Sequence, residues 1–212
     1  MIHCLLQVLG RAGKGKALHL EVLVEESSAE AALQELLPKI LGENFSFRIH
    51  PFSGKRDLLH KLPQRLYGYR RWLPEDYRIL ILIDQDRDDC KQLKQHLNRL
   101  AADADLTYHL QILNRIAIEE LEAWFLGDFE AVHAAYPRVP IHLHAKAKYR
   151  DPDSIRDCWE TLERLLQRLG YYRNGMPKIE TARAIARHMD PTRNRSRSFQ
   201  AFQQGIRRLM GA

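Results

Sequence analysis

Acidic residues gather where apolar runs end in this sequence. Glu25 closes His19-Leu20-Glu21-Val22-Leu23-Val24, and Asp84 closes Tyr77-Arg78-Ile79-Leu80-Ile81-Leu82-Ile83, with Asp86, Asp88 and Asp89 directly after it. A single acid at a strand end is ordinarily a turn residue or a helix cap, and Asp88 and Asp89 are read that way. Glu25 with Asp84-x-Asp86 is read as a site. Ligands of open α/β sheets bind beyond the carboxyl ends of the strands, and carboxylates converging there repel one another unless a cation is present. Hard oxygen donors of this kind suit Mg²⁺ or Mn²⁺. A calcium loop is excluded, because its sixth position needs glycine and its twelfth glutamate, where this chain has Asp89 and Gln95.

A second acidic group, Glu119, Glu120 and Glu122, precedes Ala123-Trp124-Phe125-Leu126. The spacing predicts a helix over 119–127, whose dipole favours acids in its first turn. The apolar neighbours of Glu120 and Glu122 imply burial, and a buried carboxylate needs a partner, for which a metal is one candidate. His142-x-His144 is read as a loop pair, Cys90 as a small core or cap-adjacent residue, and Trp72, Trp124 and Trp159 as core.

The elements that must position these acids alternate. Strands are predicted at 19–25, 45–52, 77–84 and near 108–116. The helices between them have an apolar face through Ala31 to Ile40 (capped by Ser27 or Ser28), a basic stretch reaching Tyr67, and a third run from Cys90 to Ala101. The five aliphatics Ile79–Ile83 predict a strand buried on both faces. The fold expected is α/β, a mostly parallel sheet flanked by helices. Beyond Glu119 the pattern is helical, over 119–127, 129–135, 155–169, 179–189 and 199–210. Pro137, Pro140 and Pro152 suggest a boundary near 137–152, giving an α/β domain over 18–136 and a helical region over 137–212. Residues 1–17 are read as an extension. Gly10-Arg11-Ala12-Gly13-Lys14-Gly15-Lys16 approaches the phosphate-binding loop G-x-x-x-x-G-K-[ST], but Ala17 replaces the hydroxyl and a strand follows instead of a helix.

The formal net charge is +6, and it is localised. From Arg183 onward, Arg183, Arg187, Arg193, Arg195, Arg197, Arg207 and Arg208 face one acid, Asp190, and the rest of the chain is balanced. Arginine binds phosphate bidentately, so this end is a candidate nucleic-acid-binding face, with a solvated helix surface as the alternative. Three cysteines far apart (Cys4, Cys90, Cys158) argue against a disulfide framework and for a reducing compartment. With no apolar run long enough to cross a bilayer and no signal-peptide pattern, the expectation is a cytoplasmic protein.

Taken in order, Glu25-Glu26-Ser27-Ser28-Ala29-Glu30, Gly54-Lys55-Arg56-Asp57-Leu58-Leu59, Asp84-Gln85-Asp86, Glu120-Leu121-Glu122-Ala123-Trp124-Phe125-Leu126-Gly127-Asp128, Lys178-Ile179-Glu180 and Met189–Phe199 resemble domain-of-unknown-function family 4276. The resemblance runs from about His19 to the C-terminus. It implies a Toprim-like fold, related to the nuclease part of the OLD (overcoming lysogenization defect) proteins, in prokaryotic defence settings beside an ATPase partner. It implies that Glu25 is the acid of the first Toprim strand and that Asp84 and Asp86 are the D-x-D pair. It further implies that Glu120 and Glu122 form a later E-x-E motif, and that Lys178 neutralises charge on the phosphate. The chain departs from the common Toprim pattern at Glu26, where glycine is usual, and at Ala29, where the glutamate falls one place later as Glu30.

The function expected is hydrolysis of nucleic-acid phosphodiesters, with Mg²⁺ or Mn²⁺ held by Glu25, Asp84, Asp86, Glu120 and Glu122. Lys178 and the arginines Arg183, Arg187, Arg193, Arg195 and Arg197 would position the backbone. Two alternatives stand beside it: a non-catalytic Toprim-like subunit of an ATPase, and a protein that binds nucleic acid through its arginine-rich end.

Overall fold

The computed structural model describes residues 18–42, 45–104 and 111–211. The proposed N-terminal extension and its glycine-lysine run lie outside the described residues, as does the start expected for the fourth strand. Four strands, β1 (His19–Val24), β2 (Ser46–Pro51), β3 (Tyr77–Asp84) and β4 (Gln111–Ala117), form one sheet in the order β2-β1-β3-β4. Every pairing is parallel, with Val22 opposite Ile49 and Leu80, and Asp84 opposite Ala117.

Three helices connect the strands: α1 (Ser27–Leu41), α2 (Lys55–Trp72) and α3 (Cys90–Asp103). The alternation of side chains along β1 and β3 decides where they lie. Leu20, Val22, Val24, Leu80 and Leu82 face a core shared with α1, while Leu23, Ile79, Ile81 and Ile83 face a second core with Leu58, Leu62 and Leu66 of α2 and Leu93 and Leu97 of α3. The two inner strands are therefore buried on both faces, as the aliphatic run predicts. The chain leaves β1 over one face to reach β2 and returns over the other to β3. A crevice opens where the connections diverge, beyond the carboxyl ends of β1 and β3.

Among the described residues five further α-helices follow, α4 (Glu122–Leu126), α5 (Phe129–Ala135), α6 (Cys158–Arg168), α7 (Lys178–His188) and α8 (Arg197–Met210), with three short 3-10 turns between α5 and α6. They do not form a separate core. Leu162, Ile185, Phe199 and Ile206 join the same apolar cluster as Leu33 and Leu36 of α1. Helix α7 lies along α1, and α8 packs on β4. Lys39 near the end of α1 donates to the carbonyls of Ala186 (3.0 Å), Arg187 (2.6 Å) and Met189 (2.9 Å), clamping the C-terminal end of α7. Trp124 is fully buried against Phe199 and Phe202 of α8, and its indole N–H donates to Ser198 Oγ at 2.8 Å.

Several boundaries differ from the sequence expectation. Glu26, not Ser27 or Ser28, occupies the N-cap position of α1, and Ser28 instead donates its hydroxyl to Glu26 Oε1 at 2.8 Å. The helix predicted over 119–127 begins only at Glu122, because Glu119 takes a positive φ of 60° that no helix accommodates. The basic helix continues past Tyr67 to Trp72, and Trp72 is not core: it is 61% exposed.

Among the described residues, no helix is long and apolar enough to cross a membrane.

Candidate acidic site

The carboxyl ends of β1, β3 and β4 meet in one acidic crevice. Glu25 directly follows β1, and its Oε1 accepts the backbone N–H of Asp84 at 2.6 Å. The chain then turns through Asp86 at a φ of 51°, a left-handed conformation that non-glycine residues adopt rarely. The turn is pinned to the end of β4, since Gln85 N donates to Ala117 O at 2.8 Å and Asp86 N to Glu119 O at 2.7 Å. Glu119 and Asp86 thus reverse the chain on adjacent strands, and the second reversal delivers Glu120 and Glu122 to the same crevice.

Burial dominates the electrostatics. It pushes Glu25 up to about 7, against the opposing pull of the Asp84 amide and Lys55. It raises Asp84 well above the ordinary aspartate range, and the negative charges of Glu122, Glu25 and Asp86 raise it further. Glu122 is 1% exposed, and burial pushes it up to about 7 despite the positive charge of Lys178. Among the described residues its Oε1 has no hydrogen-bond partner, and Lys178 Nζ stands 3.8 Å away. Glu120 is also raised by burial, and its Oε2 accepts the Trp159 backbone N–H at 2.8 Å.

Two lysines offset this charge. Lys178 pairs with Glu26 and reaches Glu122, with its ammonium 5.4 Å from the Trp159 ring centre. Burial works against its charge, but Glu122 and Glu26 outweigh that and hold its pKa above the ordinary lysine value. Lys55 pairs with Asp86 Oδ2 (2.6 Å) and Asp88 Oδ2 (2.9 Å) and donates to Gln85 O (3.0 Å). Its pKa is likewise raised: burial opposes it, and the bonds to Asp86 and Asp88 prevail.

The structure therefore brings Glu25, Asp84, Asp86, Glu122 and Lys178 together, with Glu120 at the margin. It adds Lys55 and Glu26, which the sequence reading quoted but gave no role. A signal for Lys55 exists in retrospect. Lys55 and Lys178 are the first residues of α2 and α7, where the helix dipole disfavours a cation, so some other charge must hold each in place. Asp89 caps α3 by accepting from Gln92 N at 2.8 Å, as expected of a strand-end acid.

The C-terminal arginines divide. Arg193 binds buried Asp128 (2.8 Å) and Glu130 (3.1 Å), and Arg195 donates to the carbonyls of His144, Tyr149 and Arg150. Arg187 stands 3.5 Å from Glu35. Arg183 and Arg197 are exposed.

The donor set fits a hard cation in its chemistry, and the unpartnered Glu122 Oε1 is an acceptor without a donor. Among the described residues, however, no three His, Cys, Asp or Glu side chains stand close enough to enclose one ion.

The model of a family described as Domain of unknown function (DUF4276) matches residues 24–207. No curated protein and no solved structure matches the chain.

Proposed function

The chain belongs to the DUF4276 family, and from that footing we propose that it is a Toprim-like, divalent-metal-dependent phosphodiesterase acting on nucleic acid, in a prokaryotic defence system with an ATPase partner. One observation carries the reading: carboxylates from three separate chain segments meet at the carboxyl edge of a parallel sheet with raised pKa values, and one of them, buried Glu122, keeps an unpartnered oxygen. A fold gains nothing in stability from such an arrangement, so it points to a ligand that the acids are kept for.

Glu25, Asp84, Asp86 and Glu122 are the residues that would hold Mg²⁺ or Mn²⁺, with Glu120 beside them. When bound, the ion supplies Lewis-acid polarisation of a phosphoryl oxygen. Release of Asp86 by Lys55, or of Glu122 by Lys178, would free a carboxylate for the ion and an ammonium for the substrate phosphate. The N-termini of α2 and α7 point the same way, which favours an anion at the crevice.

Calorimetric titration with Mg²⁺ and Mn²⁺, beside an Asp84→Ala/Asp86→Ala variant, tests this. Binding in the parent that vanishes in the variant, with hydrolysis of labelled nucleic acid lost in parallel, supports the reading. If neither cation binds, even with nucleic acid present, the catalytic reading fails. The non-catalytic ATPase subunit then leads. A specific observation favours that second reading: Lys55 and Lys178 already occupy positions between the acids, making a neutralised module that needs no ion.

A further inference from the structure

We propose that the outward face of α2 is the surface along which a single-stranded nucleic acid reaches the acidic crevice. The inference rests on the nucleic-acid reading above and names the surface that serves it. It begins at Lys55, which belongs both to the crevice and to the first turn of α2. From there Arg56, His60, Tyr67 and Arg71 follow at helical spacing on one exposed stripe, within about 60° of arc. The stripe runs about 22 Å to Arg71, at 1.5 Å per residue, and Trp72 closes the helix about 100° round from it.

Its chemistry is specific. The only acid in α2 is Asp57, which is bound to Lys61 Nζ at 2.7 Å and to the Ser53 amide at 3.1 Å, so the arginines keep the face positive. Tyr67 and Trp72 are 50% and 61% exposed, two of the few large apolar side chains so exposed among the described residues. Arg71 lies over the Tyr67 ring at 5.1 Å, and Trp72 meets the buried Tyr69 ring edge-on at 5.7 Å, which orients both rings at the surface. Arginine interleaved with exposed aromatic rings suits an unpaired strand: guanidinium groups take the phosphates and the rings stack on bases. A duplex offers no base faces to those rings. The C-terminal arginines compete poorly for this task, since Arg193 and Arg195 are engaged within the fold.

The test is fluorescence anisotropy of the full chain with labelled oligothymidine and oligouridine of about 20 nucleotides and a duplex of equal length, in EDTA. Arg56→Glu/Arg71→Glu is expected to weaken binding at least tenfold and to flatten its salt dependence. Trp72→Ala is expected to weaken single strands about tenfold and leave the duplex unchanged. These positions are on the surface, and unchanged thermal unfolding excludes a folding defect. Parent-like binding by both variants overturns the proposal. So does a loss confined to Arg183→Glu/Arg197→Glu, or a parent chain that binds no oligonucleotide and leaves the face to an acidic protein partner. Binding in EDTA without hydrolysis on adding Mg²⁺ or Mn²⁺ removes the phosphodiesterase reading and leaves this surface standing.

Discussion

Glu25 Oε1 accepts the backbone N–H of Asp84 at 2.6 Å, so the acid that ends β1 also fixes the acid that ends β3. One Glu25 oxygen thus has a structural task, while burial pushes the carboxyl as a whole up to about 7. The crevice is held together by a group that is itself poised to change charge.

A pH dependence follows. Glu25 and Glu122 each rise to about 7 from an ordinary 4.5, so the folded chain holds these protons more tightly than the unfolded chain does. Their contribution to stability is complete below about pH 4.5 and is lost as pH rises to about 7, after which it is level. Thermal unfolding in EDTA is expected to show Tm falling across that interval. Glu122→Gln should raise Tm at pH 8 by about 2–4 °C, the equivalent of about 1 kcal/mol in a chain of this size. A Tm that rises with pH over the same range contradicts the burial argument.

Lys178→Met removes the cation between Glu26 and Glu122. Because the lysine is partly exposed, the expected cost near pH 8 is about 1–2 kcal/mol, below that of a fully buried pair. The cost should shrink near pH 5, where Glu122 is protonated. Urea unfolding at the two pH values reads the difference; equal losses would mean that Lys178 stabilises by packing on Trp159 instead.

Asp128 is 2% exposed, caps α5 through Ala131 N at 3.1 Å, accepts Asp190 N at 2.9 Å and binds Arg193 at 2.8 Å. Asp128→Ala is expected to cost about 3 kcal/mol. Asp128→Asn, which keeps an acceptor for the cap, should lose clearly less in the same denaturant titration.

A methyl group on Gly127 would run into Asn194 Oδ1 and come within 3.1 Å of Ser196 N. Asn194 cannot retreat cheaply, since its amide donates to Trp124 O at 2.8 Å and its carbonyl accepts Ser196 N at 2.9 Å. Gly127→Ala should therefore destabilise by about 2 kcal/mol, seen as a lower urea midpoint with an unchanged slope.

Much of the frame was legible because burial on both faces leaves a plain mark. Ile79–Ile83 spelled a central strand, and the acids after Val24 and Ile83 marked its open edge. What stayed hidden was settled by tertiary contact. Glu21 alternates like a solvent-facing strand residue, yet it is 4% exposed, bound by His50 Nε2 at 2.5 Å and the Tyr69 hydroxyl at 2.9 Å. Trp72 read as core because tryptophan usually is, and only the end of α2 shows its ring in water. Glu119 sits among helix-forming residues, but the pairing of Asp86 N with its carbonyl holds it in a left-handed turn. Lys55 needed the sheet order before its acids could be found.

The clamp of Lys39 on the far end of α7 has a consequence for how the protein comes into being. Lys178 opens that helix, and the acids it neutralises lie on segments made much earlier in the chain. During synthesis Glu26 and Glu122 therefore precede the cation that pairs with them, and the Lys178 side of the crevice is complete only when α7 docks on α1. A copy that ends before α7 carries every acid of the crevice but lacks this cation, so docking of the C-terminal helices also completes the charge balance of the site.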